Sequence, residues 1–166
     1  PWTQRTFRFD APAGVFPAIV ERLRGTPARA AALAAGWPED VLGERRAGKW
    51  SAKDHIGHLA VLSEVDALRL DDFLQRRPLL SPADTSNPGT EAAQFPRVPM
   101  AAILDTFASR RAGLIRLLEP LDEIEVSITA VHQRLQTPIR LLDWASFVAD
   151  HDDHHLAMAR ALLPVR

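Results

Sequence analysis

The residues best suited to chemistry form a short run near the C-terminal end of the chain, His151-Asp152-Asp153-His154-His155. Side chains four residues apart on a helix point the same way, one turn above the other. Two imidazoles placed like this can bind one divalent metal ion from a single helix. His151 and His155 have this spacing of four residues. The spacing of His154, three residues after His151, is also compatible with a ligand, so the choice of second ligand stays open.

A third imidazole comes from an earlier segment of the chain. His58 shares a helical face with Leu62, Val65 and Arg69, which predicts that it faces the protein interior. A single core histidine is more often a structural residue than a ligand. Together with the C-terminal pair, and in a chain without cysteine, His58 strengthens the prediction of a metal site.

The remaining histidines have less definite roles. His55 lies one turn before His58, and we expect it at the solvent-exposed start of that helix with its ring packed on Trp50. His132 lies in an irregular segment, where it is either an ordinary loop residue or a residue that overhangs the site. The sequence leaves the roles of His55, His132 and His154 open.

Composition limits the classes of function. The chain has 166 residues, of which 46% are apolar and 25% charged, with a net charge of −1, and this predicts one globular domain over residues 1–166. The near-neutral charge gives no support for a nucleic-acid partner, and no apolar stretch reaches the roughly 18 residues of a membrane-spanning helix. Residues 1–5 lack the apolar core of a signal peptide, so we expect a cytoplasmic protein.

The chain contains neither cysteine nor tyrosine. Disulfides, thiolate ligands and a protein-borne thiol nucleophile are therefore excluded. Any nucleophile must be a hydroxyl, a carboxylate, an imidazole, a bound water or an external cosubstrate.

Hydrophobic periodicity and helix-breaking residues predict four long helices. The first covers residues 12–35, with an interruption at Gly25-Thr26-Pro27, and a linking loop follows over residues 37–49. The second begins at the capping-box pattern Ser51-Ala52-Lys53-Asp54 and runs to residue 76. The third covers residues 99–118.

The fourth helix begins at the cap Thr137-Pro138, runs to Leu163, and carries an apolar stripe that includes both histidines of the pair. The stripe consists of Trp144, Val148, His151, His155, Met158 and Leu162. Residues 78–99 contain five prolines and are predicted to form a loop, either a functional lid or a disordered segment. Residues 123–131 alternate with a period of two, which predicts a short strand in a hairpin reaching residue 136.

Four long helices with one short irregular or β insertion between the third and fourth predict an all-α four-helix bundle. Such bundles commonly build metal sites from side chains on facing helices.

Two motifs resemble those of a known family. Gly48-Lys49-Trp50-Ser51, followed by Gly57-His58-Leu59, resembles the opening of the second helix in the DinB/YfiT-like superfamily. The run from His151 to Leu156 resembles the family's last-helix signature, in which the first and last histidines are ligands. The resemblance implies a bundle in the up-down-down-up arrangement, a homodimer, and a divalent metal ion bound by His58, His151 and His155. It thus favours His155 over His154.

The resemblance also implies an activity. Characterised members are similar to thiol S-transferases that use bacillithiol, mycothiol or glutathione, and to a mycothiol-dependent maleylpyruvate isomerase. The implied function is transfer of a low-molecular-weight thiol to a small electrophile at the metal. The alternatives are a metal-dependent hydrolase using metal-bound water, and a non-enzymatic dimeric bundle whose metal is structural or absent. Zinc or nickel is the favoured metal, and iron and manganese are also compatible with three nitrogens.

Two arginines are candidates for binding an anionic substrate. Arg97 and Arg134 each flank an irregular segment near the expected mouth of the site. An ordinary solvated arginine is the alternative for each of them.

Overall fold

The structure of the protein is a computed structural model that describes residues 2–164. The predicted domain, residues 1–166, includes three terminal residues outside this range. In chain order the elements are α1 (Phe16–Ala34), α2 (Glu39–Gly43), α3 (Ala52–Leu74), α4 (Pro88–Ala92), α5 (Met100–Leu118), β1 (Thr129–His132), β2 (Thr137–Arg140) and α6 (Leu141–Leu162), with short 3-10 turns between some of them.

The long helices α1, α3, α5 and α6 form a four-helix bundle in which α1 and α3 each pack against both α5 and α6. One hydrophobic cluster joins the N-terminal halves of α1 and α6 to the C-terminal halves of α3 and α5. A second cluster joins their opposite halves. Therefore α1 and α6 run in one direction while α3 and α5 run in the other. The predicted all-α bundle with the up-down-down-up arrangement is confirmed.

The predicted interruption of the first helix is wrong. Pro27 lies inside α1, and Thr26 does not cap a new helix but donates its hydroxyl proton to the Arg22 carbonyl at 3.2 Å. A proline inside a helix removes one backbone hydrogen bond. Leu23 and Ala30 stay fully buried on either side of it, and this continuous apolar face keeps the helix intact.

Two segments predicted as loops contain short helices. The helix α2 occupies part of the predicted loop 37–49, and α4 lies within the predicted loop 78–99, followed by a 3-10 turn over Phe95–Arg97. Two of the prolines expected to exclude structure sit at helix starts: Pro88 is the first residue of α4, and Pro96 lies in the first turn of the 3-10 segment. Proline is favoured there because the N–H that it lacks would have no helical partner.

The capping box that begins α3 is confirmed. Ser51 Oγ accepts the Asp54 backbone N–H at 3.1 Å, and the Asp54 carboxylate accepts the Ser51 N–H at 2.9 Å. Arg45 donates twice to the same carboxylate, at 2.7 Å each. Burial raises the pKa of Asp54, but these hydrogen bonds outweigh it and the pKa is lowered. The helix ends at Leu74, two residues before the predicted end.

The predicted start of the fourth helix at Thr137-Pro138 is wrong, because these residues belong to β2. This strand pairs antiparallel with β1, and Pro138 lies opposite Val131. The helix α6 begins three residues later than predicted, where the Arg140 backbone N–H donates to the Asp143 carboxylate at 3.0 Å. The predicted strand 123–131 is also shorter, since Glu125–Ser127 form a 3-10 turn.

The predicted apolar stripe of α6 is buried only in part. Trp144 and Val148 are buried, and Trp144 packs on Phe73 at 5.8 Å between ring centroids. Met158, in contrast, is 41% exposed. Among residues 2–164, no helix combines the length and apolar character needed to cross a membrane.

Gly57 allows an unusually close contact beside the predicted metal ligand of α3. A Cβ atom added there would lie 2.5 Å from Cδ2 of Phe95, a ring that belongs to the second hydrophobic cluster. The missing side chain therefore lets the Phe95 ring lie directly on α3.

We predict that Gly57→Ala lowers the free energy of unfolding by about 1 to 3 kcal/mol, because the Phe95 ring must move out of a packed site. The matched control is Gly25→Ala within α1, where the added Cβ meets no atom within 4 Å apart from its chain neighbours and the adjacent backbone of its own helix. That change should be neutral or stabilise by up to about 1 kcal/mol. Urea denaturation measures both, and equal effects of the two substitutions would contradict the packing argument.

Candidate metal centre

Three histidines converge where α3 crosses α6. His58 comes from α3, and His151 and His155 come from successive turns of α6. One ring nitrogen from each lies within 4.8 Å of the others. Among the described residues these three form the one histidine, aspartate and glutamate group with this geometry, and His154 is not part of it. The structure therefore groups His155, and not His154, with His151 and His58.

The distance between two of the donors fits a single ion. The Nε2 atoms of His151 and His155 are 3.1 Å apart. A tetrahedral ion with bonds of about 2.0–2.1 Å holds two nitrogens about 3.3 Å apart. Little movement of α6 is therefore needed for both rings to share one ion, and the centroid of the His58 ring is 4.6 Å from that of His155.

His58 is oriented by a hydrogen bond that its own helix does not supply. Its Nδ1 lies 2.9 Å from Oγ1 of Thr90, a fully buried residue of α4. The position of α4 is set by its next residue, Glu91, which accepts Trp50 Nε1–H at 2.6 Å and Arg45 Nη1–H at 3.3 Å. With Nδ1 occupied by Thr90, Nε2 of His58 is the atom free to bind a metal.

His155 is likewise held through the ring nitrogen that points away from His151. Its Nδ1 lies 2.9 Å from Nδ1 of His55. His55 also makes the expected ring contact with Trp50, at 5.4 Å between centroids. The expectation that His55 lies in solvent at the helix start is wrong: the residue is 8% exposed, because α6 covers it. His55 therefore orients a candidate ligand from behind.

The three histidines lie at one end of a pocket of about 440 Å³, within the size range of small-molecule sites. Trp50 and Trp2 line it, and His154 also lines it and stacks on Trp2 at 5.5 Å. His132 lies in β1, is 1% exposed, and packs on Phe147 at 5.3 Å. It lines the same pocket, which supports the second of its two predicted roles.

The two candidate arginines differ in position. Arg134 lines the pocket that contains the three histidines. Arg97 is exposed on another surface depression, beside Glu39 and Lys53. The prediction that both flank the mouth of the site is therefore wrong for Arg97.

Burial keeps the clustered imidazoles uncharged at neutral pH. It lowers the pKa of His58 to about 4, and neighbouring His55 adds to the effect. Burial and nearby imidazoles also lower the pKa of His151 and His155 well below 6.5. A neutral imidazole has the free lone pair that metal binding requires, so the rings need not lose a proton to act as ligands.

Sequence reasoning did not name Asp66 or Thr90, and it placed Arg69 on the face of His58 without giving it a role in the site. Asp66 lines the pocket two helical turns beyond His58, and Arg69 lies one turn further. A periodic reading of α3 places both on the face of His58, so a signal for them was present. Thr90 had no such signal, because its contact with His58 joins residues 32 positions apart.

Comparisons with known proteins agree with this architecture. A family model described as the DinB superfamily matches residues 22–159. Among solved structures, the chain is similar to one described as "YfiT from Bacillus subtilis is a probable metal-dependent hydrolase with an unusual four-helix bundle topology", with a TM-score of 0.83 and 18% identity over 95% of this chain and 91% of that chain. At this identity the likeness is one of fold. No curated protein sequence matches the chain.

We predict that acid destabilises the metal-free protein. The unfolded chain protonates its histidines near pH 6.5, whereas folded His58 stays neutral down to about pH 4. The unfolded state therefore binds more protons than the folded state between these values. As the pH is lowered through this range, the free energy of unfolding decreases by about 1.4 kcal/mol per pH unit for each such histidine. Urea denaturation between pH 7.5 and about pH 4.5 measures the slope. His58→Gln, which keeps a polar partner for Thr90, should have a smaller slope, and an unchanged slope would contradict the assignment of a buried neutral ring.

Proposed function

Because the chain belongs to the DinB superfamily, we propose that it binds a divalent metal ion through His58, His151 and His155 and transfers a low-molecular-weight thiol to a small electrophile in the adjoining pocket. The family assignment confirms the resemblance carried by the two sequence motifs. The observation that carries the proposal is the convergence of three neutral imidazoles at the end of an open pocket.

Three protein nitrogens are the ligand number typical of a catalytic site, because the fourth position is left for a substrate. When bound, a divalent ion would lower the pKa of a thiol that enters the pocket and so supply a thiolate at neutral pH. The residues of the chain hold and orient the ion and shape the pocket. In the reaction, the sulfur forms a bond to the electrophilic carbon, the leaving group departs from it, and the thiol proton passes to water.

The carboxylates of the pocket favour a thiol over water as nucleophile. Asp66 lies eight residues from His58 on the same helix, about 12 Å along its axis, which is too far for a base acting beside the histidines. Asp84, the other carboxylate that lines the pocket, is exposed and bonded to Ser86. A divalent ion also lowers the pKa of bound water, to about 7, but a thiol starts from a pKa of about 8.5 and is therefore ionised more completely at neutral pH without a carboxylate base. The chain has no cysteine, so the sulfur must come from outside.

Hydrolysis is the second candidate, and a specific likeness favours it. The similar solved structure from Bacillus subtilis is described as a probable metal-dependent hydrolase. His154, which lines the pocket next to His155, is the side chain placed to act as a base in that reaction.

Zinc and nickel remain the favoured ions for three imidazoles, with iron and manganese also compatible. A homodimer in the cytoplasm, without nucleic-acid or membrane partners, also belongs to this proposal.

Cobalt substitution tests the metal site and the reaction together. Wild-type protein loaded with Co²⁺ should show visible absorption bands that change when a thiol is added, and metal-loaded protein should conjugate a thiol to chlorodinitrobenzene or monochlorobimane. His58→Ala, His151→Ala and His155→Ala should lose both properties. The matched control is His154→Ala, a neighbouring histidine outside the group, which should keep its metal.

The outcomes separate the candidates. Ester turnover without any thiol conjugation would favour the hydrolase and overturn the transferase. Unchanged metal content in all three ligand variants would overturn the metal site itself. If metal removal lowers the melting temperature and the protein acts on neither substrate class, the metal is structural.

We predict that Thr90→Val weakens metal binding by about 10- to 100-fold, the effect typical of removing a partner that orients a histidine ligand. The hydroxyl that fixes the His58 ring would be lost while the buried volume is nearly kept. Thr106→Val is the matched control, since the Thr106 hydroxyl bonds only to its own helix, at the Ala102 carbonyl. Competition with a chromophoric chelator measures both affinities, and equal affinities would contradict the orienting role of Thr90.

A further inference from the structure

We propose that the end of the pocket away from the three histidines is a carboxylate-binding subsite formed by Arg69, His132 and Arg134. It would select a thiol or electrophile that carries a carboxylate about 10 Å from the group held at the histidines. The inference rests on the proposed function, because it assigns the substrate class of the same pocket.

Arg69 supplies a buried positive charge without a close counterion. It is 7% exposed and lines the pocket, and its Nε donates to the Ser81 carbonyl at 2.9 Å. Among the described side chains, the terminal nitrogens of Arg69 make no hydrogen bond and no carboxylate lies within 4.0 Å of them. Neither terminal nitrogen is among the fully buried atoms that lack a partner, so both remain accessible to an anion that enters the pocket, and a carboxylate there would pair with the guanidinium.

His132 supplies a second donor. Its Nδ1 accepts the Leu135 backbone N–H at 3.3 Å, and burial lowers its pKa to about 4. A neutral imidazole whose Nδ1 is an acceptor carries its proton on Nε2. That Nε2–H is buried and has no partner among the described residues, so the ring keeps an unused hydrogen-bond donor at the pocket wall.

Arg134 adds a second guanidinium from the hairpin. It is half-buried, lines the pocket, and lies over the Phe147 ring at 5.5 Å from the centroid. The same ring contacts His132. Phe147 therefore brings the two hairpin residues to one side of the pocket, facing Arg69 on α3.

Two carboxylates near the subsite already have arginine partners. Asp152 is bound by Arg111 at 2.9 Å and Asp72 by Arg77 at 2.7 Å, so neither is free to neutralise the subsite. Asp66 remains as the one buried carboxylate of the pocket lining among the described residues, and the charges of Arg111 and Arg69 act on it.

A planar carboxylate fits the fork of donors that a guanidinium such as that of Arg69 presents.

The spacing follows from the helices. Phe147, which contacts His132, lies one turn from His151 on α6, about 6 Å along the axis. Arg69 lies eleven residues beyond His58 along α3, about 16 Å along the axis, and its long side chain points back toward the start of the helix, which brings the guanidinium several ångströms nearer to His58. The wall between the two ends includes Leu62 and Val148. A matching ligand therefore has a reactive group, a largely apolar spacer and a terminal carboxylate.

Matched probes test the subsite. Isothermal titration calorimetry compares ω-mercaptooctanoate, whose sulfur and carboxylate are about 10 Å apart when extended, with ω-mercaptooctanol, its uncharged counterpart, on the metal-loaded protein. Mercaptoacetate has both groups but is too short to span the pocket. We expect wild type to bind ω-mercaptooctanoate at least tenfold more tightly than the alcohol. We also expect metal-free protein to bind octanoate more tightly than octanol, and this comparison measures the preference for a carboxylate without any role for the metal.

Variants assign the preference to residues. Arg69→Gln and Arg134→Gln should each remove most of the preference for the carboxylate. Arg134 lies in the hairpin and not in the bundle core, so Arg134→Gln still tests the subsite if Arg69→Gln folds poorly. Arg97→Gln makes the same change at an exposed arginine outside the pocket and should keep the full preference. Circular dichroism melting checks the fold of each variant.

The outcomes are distinct. Equal affinity of wild type for the acid and the alcohol, or equal losses in Arg97→Gln and Arg134→Gln, would overturn the subsite even if both thiols still bind the metal. A preference for octanoate in the metal-free protein, combined with failure of every thiol to bind the metal-loaded protein, would uphold the subsite and overturn the proposed metal-thiol chemistry.

Discussion

The structure depends on the antiparallel crossing of α3 and α6, where three uncharged imidazoles are buried side by side. Burial and mutual proximity both disfavour protonation of these rings, since imidazolium ions packed this closely repel each other. The crossing therefore presents lone pairs rather than charges. The two hydrophobic clusters at either end of the bundle hold the crossing in place, so the donor geometry is a property of the core and not of a mobile loop.

The segments between the long helices also hold the histidine-bearing helix α3 in position. Arg45 joins the capping box of α3 to Glu91 of α4, and α4 presents Thr90 to His58. On the other side, the hairpin pairs with the segment after α3, since Leu80 donates to the Val131 carbonyl at 3.0 Å. The helix that carries His58 is thus supported by contacts with a segment outside it, which fixes side-chain orientation more firmly than the helix alone.

The sequence predicted the bundle, the capping box and the histidines that converge, because helical periodicity and capping are local properties of the chain. It failed where tertiary contacts outweigh local signals. Thr26-Pro27 and Thr137-Pro138 have the same cap-then-proline pattern, yet the first lies inside a helix and the second in a strand paired with β1. The contacts of Thr90 with His58 and of His55 with His155 span 32 and 100 positions, and no local pattern records such distances.

The placement of the pocket residues bears on how relatives of this protein diverge. The clustered histidines lie on packed helices, where most substitutions disturb the core. Much of the opposite wall comes from residues 82–87 and 132–134, which are irregular or belong to a short hairpin. Surface segments of this kind tolerate substitutions and insertions far better than helices in a core. Evolution can therefore exchange the ligand that the pocket accepts through these two segments, while the geometry of the histidines is inherited unchanged.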